Sequence, residues 1–121
     1  MDRAARIVAG EEQDMTDREL LELAAKAAGI ELKWHHSGEC AYARRNGEYW
    51  AVWNPLTDDG DALRLAVKLR FRVDVDFDRV DVSDQFGAAA EYLYRLPSPT
   101  DPYAATRRAI VRAAAEIGGR K

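Results

Sequence analysis

The sequence predicts an α+β fold with four to five mainly antiparallel strands, in the order α-β-β-β-α-β-β-α. Three observations carry this expectation. A capped amphipathic segment begins at Thr16, an Asn46-Gly47 turn joins two aromatic-rich runs, and at Arg72 the hydrophobic period changes from helical to alternating. The 121 residues, 47% hydrophobic and 32% charged, are the size of one domain and can bury a core.

Residues 1–14 lack a sustained apolar face and end in an acidic cluster, so they are expected to form a flexible N-terminal extension to a single domain over 15–121. Thr16 is the N-cap of the first helix, Glu19 completes a capping box, Met15 can staple onto Leu20, and Gly29 supplies the stop. Leu20, Leu23, Ala24 and Ala27 form its expected buried stripe. Ile30 to His36 alternates as a first strand, with Leu32, Trp34 and His36 on one face.

Asn46-Gly47 favours a two-residue type I′ turn, which needs positive φ at both central residues. That loop would set Ala43 opposite Trp50, Tyr42 opposite Ala51, Ala41 opposite Val52 and Cys40 opposite Trp53. Each face would then hold a tryptophan, so cover is expected on both sides, from helices or from a partner. The same loading suits a dimer surface, and oligomeric state stays open.

Asn54-Pro55 ends the hairpin, and Asp58, Asp59 and Asp61 stand where a helix N-terminus favours negative charge. Leu63, Ala66, Val67 and the stem of Arg70 are expected on the buried side of this second helix. Val73, Val75 and Phe77 then alternate with Asp74, Asp76 and Asp78, giving a strand with one apolar and one acidic face. Val80 and Val82 continue it after a bend, and a last strand falls within 88–96. Thr100 or Asp101 caps a final helix with Tyr103, Thr106, Ile110, Ala113 and Ile117 at helical spacing, closed by Gly118-Gly119.

The formal net charge of −3 disfavours whole-surface attraction to nucleic acid. A single cysteine, Cys40, excludes an intramolecular disulfide. No run has the form of a signal peptide or the length to cross a bilayer, so a cytoplasmic location is expected.

His35, His36 and Cys40 are zinc-compatible types, but adjacent strand histidines point to opposite faces and no Cys-x-x-Cys is present. Asp74-x-Asp76-x-Asp78 opens like a calcium loop, yet Arg79 stands where that loop needs glycine and Gln85 where it needs glutamate. No metal and no cofactor are expected. The sequence has no Ser/His/Asp set, Gly-rich phosphate loop or paired His/Glu motif, and catalysis is not expected.

Two binding surfaces emerge instead. Asp74, Asp76, Asp78, Asp81 and Asp84 form an acidic row that either protects a sheet edge from aggregation or docks on a basic protein groove. Arg107, Arg108 and Arg112 fall near one side of the last helix, either as a solvated face or as a contact for nucleic acid. Trp34, Trp50 and Trp53, beside Arg44 and Arg45, are either core residues or platforms for bases.

The segments TDRELLELAAKAAGI, WNPLTDDGDALRLAVKL and AATRRAIVRAAAEIG together resemble small phage and prophage proteins grouped as the phage ABA-sandwich domain. The resemblance covers most of 15–118 and is most specific at Trp53-Asn54-Pro55-Leu56 and Asp58-Asp59-Gly60-Asp61-Ala62. It implies an α/β/α layered sandwich and supplies no catalytic residues. The resulting expectation is a phage or prophage accessory protein acting by protein binding, such as an anti-CRISPR-like inhibitor of host defence working through the acidic strand.

Overall fold

A computed structural model of the protein describes residues 15–38, 40–44, 47, 49–76, 79–83, 94–96 and 101–119. The chain is α+β. Its elements are α1 (Asp17–Ala28), β1 (Glu31–Trp34), β2 (Ala41–Arg44), β3 (Ala51–Val52), α2 (Asp59–Leu69), β4 (Arg72–Val75), β5 (Val80–Ser83), β6 (Tyr94–Leu96) and α3 (Pro102–Gly119). The six strands form two antiparallel sheets of three, ordered β1-β2-β3 and β4-β5-β6, where one group of four to five strands was expected. The extra strand arises because Val80 and Val82 turn back on β4 instead of extending it; the Asp76 N–H donates to the Arg79 carbonyl at 2.8 Å to close the reversal.

Local chemistry sets the helix ends. The Thr16 hydroxyl accepts from the Glu19 N–H at 3.1 Å, and the Glu19 carboxylate accepts from the Thr16 N–H at 2.9 Å. Gly29 ends α1 in the left-handed region at φ 72°, where the absence of a Cβ removes the steric cost. In α2 the Asp58 carboxylate accepts from the Asp61 N–H, and Asp61 itself accepts from the Asn54 N–H at 2.9 Å. The acidic run is thus a helix entry clasped to the end of the hairpin. Asp101 caps α3 by accepting from the N–H groups of Tyr103 and Ala104.

The last helix holds the molecule together. It packs on α1, α2, β5 and β6, and buries Ala105, Ala109, Val111, Ala113 and Ala114 among its neighbours. Val80 and Val82 of β5 are fully buried. The small side chains permit a very close approach of α3 to α1: a Cβ added at Gly118 would lie 2.0 Å from the Leu23 carbonyl oxygen.

The buried stripes are rotated from the expected ones. In α1 the buried residues are Leu20, Leu21, Ala24, Ala25 and Ala28, with Leu23 and Ala27 only half-buried. In α2 they are Asp61, Ala62, Leu65 and Ala66, while Leu63 and Val67 face outward. In α3 Tyr103 is exposed and Thr106 and Ile117 are half-buried. Each helix has apolar residues on more than one side, so the sequence pattern leaves the phase of its buried face ambiguous.

The first sheet also differs in register. Tyr42 pairs with Val52 and Ala43 with Ala51, one residue off the alignment of a two-residue turn. A slip of one exchanges the faces of β3. Trp53 therefore joins Ala41 and Ala43 toward the core, while Tyr42 and Val52 face away from it. Strand β1 is shorter than expected, and His35 and His36 lie in the turn after it with ring centroids 4.0 Å apart, not on opposite faces of a strand.

Candidate functional site

Among the apolar residues that the rotated stripes leave outside the core, one set comes together. A groove of roughly 550 Å³ opens between α2, β4 and α3. Helix α2 contributes Leu63 and Ala66, β4 contributes Val73 and Val75, and α3 contributes Tyr103 and Ile110. Three of these are large and exposed: Leu63 at 62%, Val75 at 56% and Tyr103 at 69%. Val67, one turn beyond Leu63, is 65% exposed and extends the apolar surface along α2. Scattered exposed leucines need no explanation, but a lined concavity flanked by several does.

Charge surrounds this floor. Asp59 lines the groove and accepts from the Arg107 guanidinium at 2.6 Å, while the Arg107 Nε–H donates to the Leu56 carbonyl at 2.9 Å. The exposed Asp74 and Asp76 adjoin Val75 in sequence but alternate to the opposite face of β4, and the exposed Asp101 precedes Pro102 and Tyr103 of the lining. Arg72 flanks Val73. Arg64 and Lys68, also exposed, adjoin Leu63 and Val67 on α2, so the charge around the groove is mixed, and Arg107 is held internally.

The predicted acidic row is only partly assembled. Asp74 and Asp81 are direct cross-strand partners, which puts like charges opposite each other. Asp81 is mostly covered and pairs with Arg79 at 3.4 Å, and its partner position on the other side is Arg95 of β6. Asp74 and Asp76 are the exposed members, and Asp78 and Asp84 lie outside the described residues. The sheet face that carries them, opposite the groove-lining Val73 and Val75, is of mixed charge.

The three arginines do not converge on one surface. Arg107 ties α3 to the entry of α2, and Arg108 donates to the Asp17 carboxylate at 3.0 Å, tying α3 to the first turn of α1. Arg112 is buried, beside a small cavity that Met15, Leu20 and Glu116 also line. Arg107 and Arg108 serve as struts between helices.

A different basic and aromatic surface lies on the outer face of the first sheet. The Lys33 ammonium and the Arg44 guanidinium each stand 4.7 Å from the centroid of the Trp50 ring. Tyr42 shares this face, and Tyr49 is almost fully exposed nearby. Arg44 also pairs with Glu31 at 2.9 Å. Trp34 has another role: its indole N–H donates to Glu22 and its ring lies under Arg18, joining β1 to α1.

Among the described residues no three His, Cys, Asp or Glu side chains come together as a metal site. No helix among them is long and apolar enough to cross a membrane. No protein-family model, curated protein or solved structure matches the chain.

The groove was hidden from sequence reasoning because its walls come from three separated elements. One signal pointed toward it. Leu63 and Val67 add a second apolar side to a helix that already offers Ala62, Leu65 and Ala66 for burial.

Proposed function

We propose that this is a cytoplasmic accessory protein of phage or prophage origin that acts by binding a host protein rather than by catalysis, in the manner of an inhibitor of host defence. Its contact surface is the groove between α2, β4 and α3, with the exposed Asp74 and Asp76 on the opposite face of β4 as a second contact. The observation that carries the proposal is the outward placement of Leu63, Val75 and Tyr103 around one concavity. An apolar centre inside a polar rim is the usual anatomy of a protein interface.

The test is recovery of proteins from bacterial host lysate by the wild type and by an Asp74→Asn/Asp76→Asn variant. The proposal expects a partner held by the wild type and depleted with the variant, both chains having intact helical circular dichroism. Equal recovery of every bound protein would contradict the acidic contribution.

A second reading has its own observation. The Trp50 surface, with Lys33 and Arg44 over its ring, combines aromatic and cationic groups as single-stranded nucleic-acid sites do. A fluorescent oligothymidine should then bind at low salt and be released as salt rises, with Trp50→Ala abolishing the signal. Binding that instead weakens only when Arg107, Arg108 and Arg112 are neutralised would place the contact on α3.

A further inference from the structure

We infer that β3 exchanges between two registers on β2, one residue apart, and that the exchange withdraws Trp50 from Lys33 and Arg44. The observed pairing is one state, and the alignment of a two-residue turn at Asn46-Gly47 is the other. The inference goes beyond both binding readings above, because it concerns the strand and not what the strand binds.

Opposing preferences meet in this short strand. Asn-Gly is a strong signal for a two-residue loop, and Gly47 has the positive φ, 78°, that such a loop needs. That loop would set Tyr42 opposite Ala51 and Ala41 opposite Val52. The far end of the strand imposes the other alignment. There the Trp53 N–H donates to the Ala41 carbonyl at 3.0 Å, and the Asn54 N–H donates to Asp61 at 2.9 Å. Two residue pairs, Tyr42 with Val52 and Ala43 with Ala51, lie between these competing ends.

Packing does not decide between them. In the observed register Ala51 and Trp53 take the core side, while Trp50 and Val52 take the outer side. Trp53 is buried, but its indole N–H finds no acceptor among the described residues, which destabilises this state. Val52 is 62% exposed, and a cavity of roughly 270 Å³ lies beside Ala43 and Ala51. A slip of one residue exchanges the two sets. Trp50 then stands opposite Ala43 beside that cavity, Val52 stands opposite Ala41, and the Trp53 indole reaches water. Ala41 and Ala43 are small, so neither set is excluded by the partner strand. Because β3 is at the edge of its sheet, the slip breaks pairing on one side only.

The consequence falls on the outer face. Lys33 and Arg44 stand 4.7 Å from the Trp50 ring in the observed register. In the slipped register Trp50 leaves that face and Trp53 emerges farther along it, opposite Cys40. One strand thus presents or withdraws the aromatic and cationic surface.

Paired cysteines read the two registers directly, because a disulfide needs Cβ atoms that face each other. In a Cys40→Ser background, Tyr42→Cys/Val52→Cys bridges the observed register and Tyr42→Cys/Ala51→Cys the slipped one. In the wrong register the members of each pair point to opposite faces. Arg44→Cys/Ala51→Cys is the control. These positions are directly opposed in neither register, yet they are closer in sequence, so fraying of β3 would close this pair at least as readily. Closure is followed under oxidised glutathione by mass spectrometry of the full chain. Both Tyr42 pairs are expected to close, the Ala51 pair about tenfold or more slower, as a minor state requires, while the control stays reduced. Closure of only one Tyr42 pair, of neither, or of the control as fast as the Ala51 pair would overturn the inference. The unmodified chain gives an independent reading. Relaxation dispersion and saturation transfer at the Ala51 and Val52 amides should reveal exchange that Leu32 and Lys33 lack, and flat profiles at both β3 amides would contradict it.

Discussion

Gly118 and Asp74 show how much a single position decides. Alanine at an ordinary helical glycine is stabilising by up to about 1 kcal/mol, but at Gly118 the new methyl would collide with the Leu23 backbone, which cannot rotate away. Overpacking of this kind costs about 1–3 kcal/mol, so Gly118→Ala should lower stability in urea unfolding. Gly119→Ala, with only the Leu23 Cδ1 at 4.0 Å, should be neutral or slightly stabilising. Asp74 carries an opposite tension. Because it faces Asp81 across the sheet, Asp74→Asn should raise stability by about 0.2–1 kcal/mol, an effect that shrinks with added salt. If the same substitution weakens partner binding, the acidic edge is maintained at a cost in stability.

Helix termini were legible because their signals are local. Thr16, Glu19 and Gly29 of α1, Asp58 of α2 and Asp101 of α3 act within a turn of their own position, and their roles follow from residue type alone. Arg70 is the exception, ending α2 at φ 61°, where a side chain is strained and glycine is usual. Arg70→Gly should therefore stabilise the protein by about 1 kcal/mol, read as a higher urea midpoint with an unchanged slope. The strands were less legible. Asn46-Gly47 predicted a hairpin, but the paired register differs by one residue, and that alone moved Trp53 to the core and Val52 to the outside. Two alanines opposite each other, Ala43 and Ala51, give the sequence little means of distinguishing the alternatives.

At the scale of the whole molecule, α1, α2 and the second sheet pack on α3 while the first sheet joins through β1 to α1, and the sites lie where that packing leaves side chains outside the core. The candidate acidic residues were visible in the sequence as a charged alternation. Their neighbourhood was not, because the groove depends on how three distant elements are rotated, and rotation is fixed by long-range packing of Ala-rich surfaces. The arginines of α3 illustrate the converse: their spacing predicted a shared face, whereas tertiary contacts drew Arg107 and Arg108 toward different helices and buried Arg112. The proposed protein-binding function thus turns on whether the apolar groove is the surface that binds. Quantitative recovery of lysate proteins by the wild type and by Leu63→Gln/Tyr103→Ser tests this most directly. It predicts that the principal wild-type partner is lost with the variant while the urea midpoint is unchanged; undiminished recovery by a folded variant would contradict it.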